Sequence, residues 1–483
     1  AHDTDQAVRN GLDMEFGSWT NGLSWGASNA YDSYYLARPY LKAIQEGKYT
    51  TRELDEKVRR VLRLFYRTTM NRHRPHGFLG SDGHYATARQ IAEEGIVLLQ
   101  NRNRVLPINT QKVRHVLVVG ENAIKMMTVG GGSSSLKVQR EISPLQGLQA
   151  RLAKDGVEVD FARGYVGDVT GAYNGVTTGQ NLEDKRSEAE LIAEAVEKAK
   201  AADCVILFGG LNKSDYQDCE GHDRQQYELP YAQDKLITAL AAANKNFVYV
   251  NISGNAVAMP WRDKVPAIVQ GWYLGSEAGE ALAAVLTGDA NPSGKLPFTW
   301  VKSLQNVGAH ALNTYPGTWR KEGGSKTEGN IIDEEYKEGI YVGYRWADRE
   351  KQRPVFAFGH GLSYTQFAIS NLRADKASMT AADSITFTVQ VKNIGQRAGS
   401  ETVQLYVHDA KASVDRPLKE LKGFCKVSLQ PGESKDVSIT LGKDALSFYD
   451  ETTASWKAEP GLFEAWVGNA SDNLKLRKSF QLK

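Results

Sequence analysis

Seven consecutive residues, Asp218-Cys219-Glu220-Gly221-His222-Asp223-Arg224, gather three carboxylates, a thiol, an imidazole and a guanidinium into one short polar stretch. A carboxyl group transfers protons usefully near neutral pH when burial or a second carboxylate raises its pKa. Glu220, beside the small Gly221, is free to project and is the candidate proton donor. Asp218 adds local negative charge, and Arg224 is placed to neutralise Asp223 and brace the loop. The same residues also fit a solvated loop, and on their own they do not choose between the two readings.

The elements around the stretch favour chemistry. It lies between an apolar run, Cys204-Val205-Ile206-Leu207-Phe208, and a helix expected to begin near Leu229-Pro230. Short β-rich runs at 115–119, 157–161, 203–208, 247–251 and 267–272 alternate with helical patterns at 143–153, 187–201, 231–243 and 277–286. An amphipathic helix is expected over 84–99. Such alternation predicts a largely parallel sheet covered on both faces, and loops leaving the strands of such a sheet are where α/β folds bind ligands. The Gly/Ser loop Gly130-Gly131-Gly132-Ser133-Ser134-Ser135 falls in this region. It lacks the Lys-Ser/Thr of a P-loop and does not form GxGxxG, so a sugar's hydroxyls suit it better than a phosphate, with a plain flexible turn the other reading.

Length and composition bound the rest. A chain of 483 residues exceeds one core. Its 59 Lys and Arg balance 57 Asp and Glu without long single-sign runs, which argues against nucleic acid or an anionic membrane as partner. No apolar run reaches the roughly 18 residues of a membrane-spanning helix. Cys204, Cys219 and Cys425 are too scattered for a disulfide framework, and no metal-ligand spacing surrounds Cys219.

The domain organisation read from the sequence is 1–70, mostly helical with one short strand at Gly11 to Phe16 and an irregular loop from Trp19 to Tyr31; a linker, 71–88; an α/β domain, 89–303; a connector, 304–366; and a β-sandwich, 367–483, where the hydrophobic period switches to two. The connector and the segment after it carry Tyr315, Trp319, Tyr336, Tyr341, Tyr344 and Trp346, able to stack on sugars or simply to pack. One strand and three amphipathic helices cannot bury their own apolar faces, so residues 1–70 read as the end of a larger domain.

Several motifs occur in collinear order: Gly11-Leu12-Asp13-Met14-Glu15, Leu98-Leu99-Gln100-Asn101 with Leu106-Pro107-Ile108, Gly130-Gly131-Gly132-Ser133, Ser143-Pro144-Leu145-Gln146-Gly147-Leu148, Glu220-Gly221-His222-Asp223-Arg224, Asn291-Pro292-Ser293-Gly294-Lys295-Leu296-Pro297 and Phe358-Gly359-His360-Gly361-Leu362-Ser363-Tyr364-Thr365. Together they resemble glycoside hydrolase family three, the β-glucosidase family. The resemblance implies an α/β multidomain chain: the C-terminal remnant of a (β/α)8 barrel, an α/β sandwich domain and a fibronectin-type-III-like β-sandwich. It further implies a retaining exo-β-glycosidase of terminal β-D-glucosyl residues, with no metal and no organic cofactor.

By position, Glu220 matches the family's acid/base, and Ser133 a serine that hydrogen-bonds substrate. Asp13 lies where barrel enzymes shape their pockets, or serves as a cap. Asp223 and Arg224 are expected as structural supports of the Glu220 loop, and Trp272 and Tyr273 as packing. The family's nucleophile is the Asp of a Ser-Asp-Trp motif shortly before a segment like Ala1-His2-Asp3-Thr4, so it is expected before residue 1, in an N-terminal barrel segment of the same or a separate chain. The expected partners are an oligosaccharide or aryl β-glycoside, that segment and a homodimer mate; the expected location is periplasmic or secreted. A β-xylosidase of the same family and a non-catalytic carbohydrate-binding or scaffold remnant are the alternatives.

Overall fold

The computed structural model describes residues 3–15, 34–167, 178–220, 222–319 and 332–483. It divides into two units, residues 1–79 and 80–483.

In the first unit, α1 (Thr4–Arg9), α2 (Arg38–Gln45) and α3 (Thr51–Arg67) are the helices of the described residues. Asp3 caps α1, and Thr50 with Glu53 forms the capping box of α3. Val8, Tyr40, Ala43 and Tyr49 make a small core. The apolar stripe of α3 is left open: Val58, Leu62 and Phe65 are 47%, 45% and 44% exposed. Residues 11–15 form no strand, contrary to the short strand expected at Gly11 to Phe16; Phe16 and the Trp19–Tyr31 loop lie outside the described residues.

The second unit opens with α4 (Asp82–Gly95), followed by β1 (Val97–Asn101), β2 (His115–Val119), α5 (Pro144–Ala153), β3 (Glu158–Ala162), α6 (Glu188–Ala201), β4 (Cys204–Gly210), α7 (Gln233–Ala243), β5 (Phe247–Ile252), β6 (Ala267–Gln270) and α8 (Ala278–Thr287). The strands form one sheet in the order β1-β6-β5-β4-β2-β3, parallel throughout except for β1, which runs antiparallel to β6.

Alternate residues of each strand feed two different cores. Leu117, Val119, Val205, Leu207, Tyr249 and Ile268 face α6 and α7, while Val116, Val118, Ile206, Phe208, Val248 and Val250 face α5 and α8. Both faces are therefore dry, which explains why these strands read as unbroken apolar runs. Each fully buried aliphatic side chain contributes about 1.5–3 kcal/mol relative to an exposed one. α5 and α8 approach at backbone distance, because a Cβ on Gly147 would sit 2.1 Å from the carbonyl oxygen of Gly279.

The sequence reading ran the α4 helix through Leu99. It ends instead at Gly95, and Val97–Asn101 is the antiparallel edge strand. Its run of three apolar residues, Val97 to Leu99, fits a helix face or a strand equally, and the sheet decides.

The connector holds α9 (Gly308–Ala311), the two-residue strands β7 (Thr318–Trp319) and β8 (Ile332–Asp333), and α10 (Tyr344–Arg349). A return segment, 355–362, pairs Val355 and Phe356 with Trp300, and Leu362 with Leu98. The chain then forms a β-sandwich: β9 (Phe367–Ala374), β10 (Ser378–Met379), β11 (Ser384–Asn393), β12 (Gly399–Asp409), β13 (Glu420–Leu429), β14 (Ser434–Gly442), the small hairpin β15 (Phe448–Asp450) with β16 (Ser455–Lys457), β17 (Gly461–Gly468) and β18 (Leu474–Leu482). One sheet is β14-β11-β9 and the other β10-β18-β17-β12-β13. Ile385, Phe387, Val389 and Val391 of β11 meet Val403, Leu405 and Val407 of β12 in a single core, the inward set of a period-two pattern.

Candidate active site

The parallel strands end together, so the loops after β2, β4, β5 and β6 converge on one edge of the sheet. The Gly/Ser loop follows β2, and the Glu220 loop follows β4. They grip each other in both directions. The Glu220 N–H donates to the Gly131 carbonyl at 2.7 Å, and the Glu220 carboxylate accepts the Ser133 N–H at 2.5 Å. Glycine is required here: Gly130, Gly131 and Gly132 have φ of 106°, 82° and 111°. A Cβ on Gly132 would fall 2.4 Å from the Cβ of Glu220.

The sequence reading expected burial and a second carboxylate to raise the pKa of Glu220. In the structure Glu220 is exposed, and hydrogen bonding from Ser133, side chain and backbone, holds its carboxyl below the ordinary value. An N–H aimed at a carboxylate stabilises the charged form. Ser133, expected to contact substrate, is exposed and bonded to Glu220.

Asp218 is more than added charge. Its Oδ2 accepts the Gly254 N–H at 2.6 Å and the Tyr273 hydroxyl at 3.0 Å, and its Oδ1 accepts the Asn255 amide at 3.0 Å. Burial, with the nearby Asp218, pushes the Tyr273 phenol well up. Tyr273 was expected only to pack; it is a permanent donor to the loop. Trp272 does pack, edge-on against Phe298 with its indole N–H on the Gly95 carbonyl.

Asp223 and Arg224 do not pair. Asp223 accepts the hydroxyl of Tyr315 from the connector, whereas Arg224 donates to the Ala256 carbonyl at 2.7 Å and lies over the Tyr227 ring. The adjacent side chains diverge because each finds a partner on a different loop. The Arg224 Nη1 is buried without an acceptor, and burial lowers its pKa. It borders a cavity of about 530 Å³ lined also by Tyr216, Gln217 and Glu228. His222 bonds Asp215 at 2.5 Å and stacks on Tyr216, and Cys219 lies 3.3 Å from the His222 carbonyl.

Three further residues organise the site: Glu141 and Lys213 drew no notice in the sequence, and Tyr315 was read there only as an aromatic able to stack or pack. Glu141 accepts the N–H groups of Met127 and Thr128 at the base of the glycine loop. Lys213 spans the loops, donating to the Met127 carbonyl at 3.1 Å. Tyr315 reaches in from the connector. None sits in a recognisable motif, since each acts across 13 residues or more of sequence.

Asp13 belongs to the first unit. There it accepts both contacts of Arg60 Nε, at 2.8 and 2.9 Å, beside Lys57, which donates to the Leu12 carbonyl. Of the other aromatics, Tyr341 donates to Asp415 and Tyr344 packs against Phe358 and Tyr406, while Tyr336 is exposed. The Trp319 side chain and Gly221 lie outside the described residues. Among the described residues no group of three or more His, Cys, Asp or Glu side chains is arranged to hold a metal ion. Nor is any helix there long and apolar enough to cross a membrane.

A family model for the glycosyl hydrolase family 3 C-terminal domain matches residues 96–344, and one for a fibronectin type III-like domain matches 401–471. The chain is 46% identical over its whole length to the β-glucosidase BoGH3A of Bacteroides ovatus, spanning 63% of that relative. It is 33% identical, again over its whole length, to the periplasmic β-glucosidase of Salmonella typhimurium, spanning 61% of it. A crystal structure of a GH3 β-glucosidase from Bifidobacterium adolescentis superposes on 93% of the chain with a TM-score of 0.79 at 32% identity, 60% of that structure being covered. The chain thus corresponds to about three fifths of the length of these relatives. With the doubly covered sheet, the Glu220 loop at its edge and the sandwich that follows, these matches place the chain in glycosyl hydrolase family 3.

Proposed function

We propose that this chain carries the acid/base portion of a retaining exo-β-glycosidase, a β-glucosidase that releases terminal non-reducing β-D-glucosyl residues from oligosaccharides or aryl glycosides. The observation that carries the reading is Glu220, held at the converging loop edge by Gly131 and Ser133 with its carboxylate open to solvent. The β-glucosidase names of the relatives support the substrate class.

A retaining mechanism needs a second carboxyl group about 5–5.5 Å from the acid/base. The Ser-Asp-Trp motif that would supply it does not occur in these 483 residues, so the reading assigns the nucleophile to an N-terminal barrel segment, of the same polypeptide or of a separate chain. The open stripe of Val58, Leu62 and Phe65 on α3 supports such a segment, because an apolar helix face of that kind is built to be covered.

Chemically, Glu220 first gives its proton to the departing glycosidic oxygen while the nucleophile attacks the anomeric carbon. It then takes a proton from the water that releases the glycosyl-enzyme. Glu220 alone prefers the ionised state. A nearby carboxylate and loss of solvent both raise a carboxyl pKa, so arrival of the nucleophile segment and substrate is what makes Glu220 an acid. Periplasmic or secreted localisation follows the Salmonella relative's name, and a homodimer through the β-sandwich is supported by Phe424, 69% exposed on the sheet-edge strand β13.

The test is Glu220→Ala in the full polypeptide. Activated aryl β-glucosides should glycosylate the enzyme at near-normal rate while turnover falls by roughly 10²–10⁴-fold, with azide restoring it. Undiminished turnover of unactivated glucosides in that variant would refute the assignment.

A further inference from the structure

We infer that Asp218 is the positioning residue of the acid/base: it sets where Glu220 stands without touching the reacting atoms. This rests on Glu220 being the acid/base.

Glu220 is reached from the β2 side through Gly131 and Ser133, which fix its backbone and carboxylate relative to the glycine loop. Those contacts leave the Glu220 loop free to move together with the glycine loop. Asp218, two residues earlier, removes that freedom. It fastens the loop to Gly254 and Asn255 after β5 and to Tyr273 after β6, positions 36, 37 and 55 residues away in sequence. Both oxygens are used: Oδ2 takes a backbone N–H and a phenol, and Oδ1 takes an amide. A carboxylate is needed because all three partners are donors, and charge-assisted bonds of this kind are about twice as strong as neutral ones. The approach is close enough that a Cβ on Gly254 would stand 3.4 Å from Asp218 Oδ2.

Of the loop's other charges, Arg224 also reaches the segment after β5, at Ala256, but from the far side of Glu220. Asp223 answers to the connector through Tyr315, and His222 to Asp215 within the loop itself. Asp218 is thus the carboxylate that ties the Glu220 loop to the ends of the neighbouring strands β5 and β6. Displacement of a catalytic group by about 1 Å costs on the order of 10²-fold in rate, and for a general acid the loss falls on substrates whose leaving groups need a proton.

The experiment compares Asp218→Ala, Glu220→Ala and the double variant in the full polypeptide carrying the nucleophile segment, using aryl β-glucosides of high and low leaving-group pKa, with folding checked by thermal melting. Asp218→Ala should lower kcat/KM about 100-fold for the poor leaving group and no more than about 5-fold for the good one. In the Glu220→Ala background the same substitution should cost under about 2-fold, because a residue acting through Glu220 has nothing left to position. Equal losses on both substrates, or additive losses in the double variant, would make Asp218 a general structural residue and overturn the inference. Undiminished turnover in Glu220→Ala would instead refute the acid/base assignment, whatever Asp218 does.

Should Asp218→Ala not fold, Tyr273→Phe and Asn255→Ala each remove one donor and should show the same leaving-group signature at about 3–10-fold; its absence in both counts against the inference. Amide exchange gives a readout free of activity. The Glu220 N–H bonded to Gly131 should exchange at least about 10-fold faster in Asp218→Asn, and unchanged protection overturns the proposal.

Discussion

Ser133 and Glu220 are 87 positions apart in sequence and 2.5 Å apart in space, joined by a backbone N–H that donates to a carboxylate. The bond favours the anionic form of the resting Glu220 and lowers its pKa. Replacing Ser133 by Ala removes the hydroxyl contribution and should move the Glu220 titration upward, toward the ordinary value of 4.5. Carboxyl NMR of the chain, wild type against Ser133→Ala, measures it. The sign for stability follows: with a depressed folded pKa, the stabilisation is present above 4.5 and is lost as pH falls through the lowered value. The variant should therefore be less acid-sensitive at this site. An unmoved midpoint would mean that the backbone N–H alone sets the charge.

His360 carries an opposite kind of constraint. Its ring stacks on Phe356 and bonds the Leu99 carbonyl at 2.8 Å, and burial pushes its pKa below 6.5. The unfolded chain then binds a proton more readily than the folded one, so this group's contribution is complete above pH 6.5 and declines as pH falls toward the lowered folded value. Thermal melting between pH 7.5 and about 5 should show this loss, and His360→Gln should flatten it. An identical pH slope in the variant would assign the loss elsewhere.

The sandwich is pinned to the α/β part of its unit by Lys295, which meets Glu401 at 2.6 Å with side chains only 14% and 8% exposed. Lys295→Met strands Glu401, which keeps the Asn469 amide and the Thr402 N–H as donors. The loss should be about 3 kcal/mol, and Lys295→Met with Glu401→Leu should recover most of it, since an apolar pair of similar volume replaces a buried ion pair at little cost. Denaturant titration of the wild type and the two variants tests this; equal destabilisation of single and double variants would show that packing, not charge, dominates.

The sheet was legible because its strands are buried on both faces. Continuous runs such as Val116–Val119 and Val205–Phe208 have few other ways to be satisfied. The Gly/Ser loop's place after β2 also follows from strand and helix alternation. The environment of Glu220 was not legible. Its exposure and hydrogen bonds are set by Ser133 and Gly131, and the anchoring of Asp218 by Gly254, Asn255 and Tyr273, all of which fold in from elsewhere. Proximity in sequence misled at Asp223 and Arg224, where each side chain found a better partner across the fold. β1 was misread because a strand at the antiparallel edge of a parallel sheet carries no periodicity of its own.

That edge strand also bears on dissecting the polypeptide. The match to the family 3 C-terminal domain stops at residue 344, yet the free side of β1 is closed eighteen residues later, where Leu362 donates its N–H to the Leu98 carbonyl at 2.8 Å. A piece cut at 344 would expose the backbone of an apolar strand along an unprotected rim, an invitation to stack with its own copies. The natural place to divide this protein is past Thr365, after the returning chain has sealed the sheet.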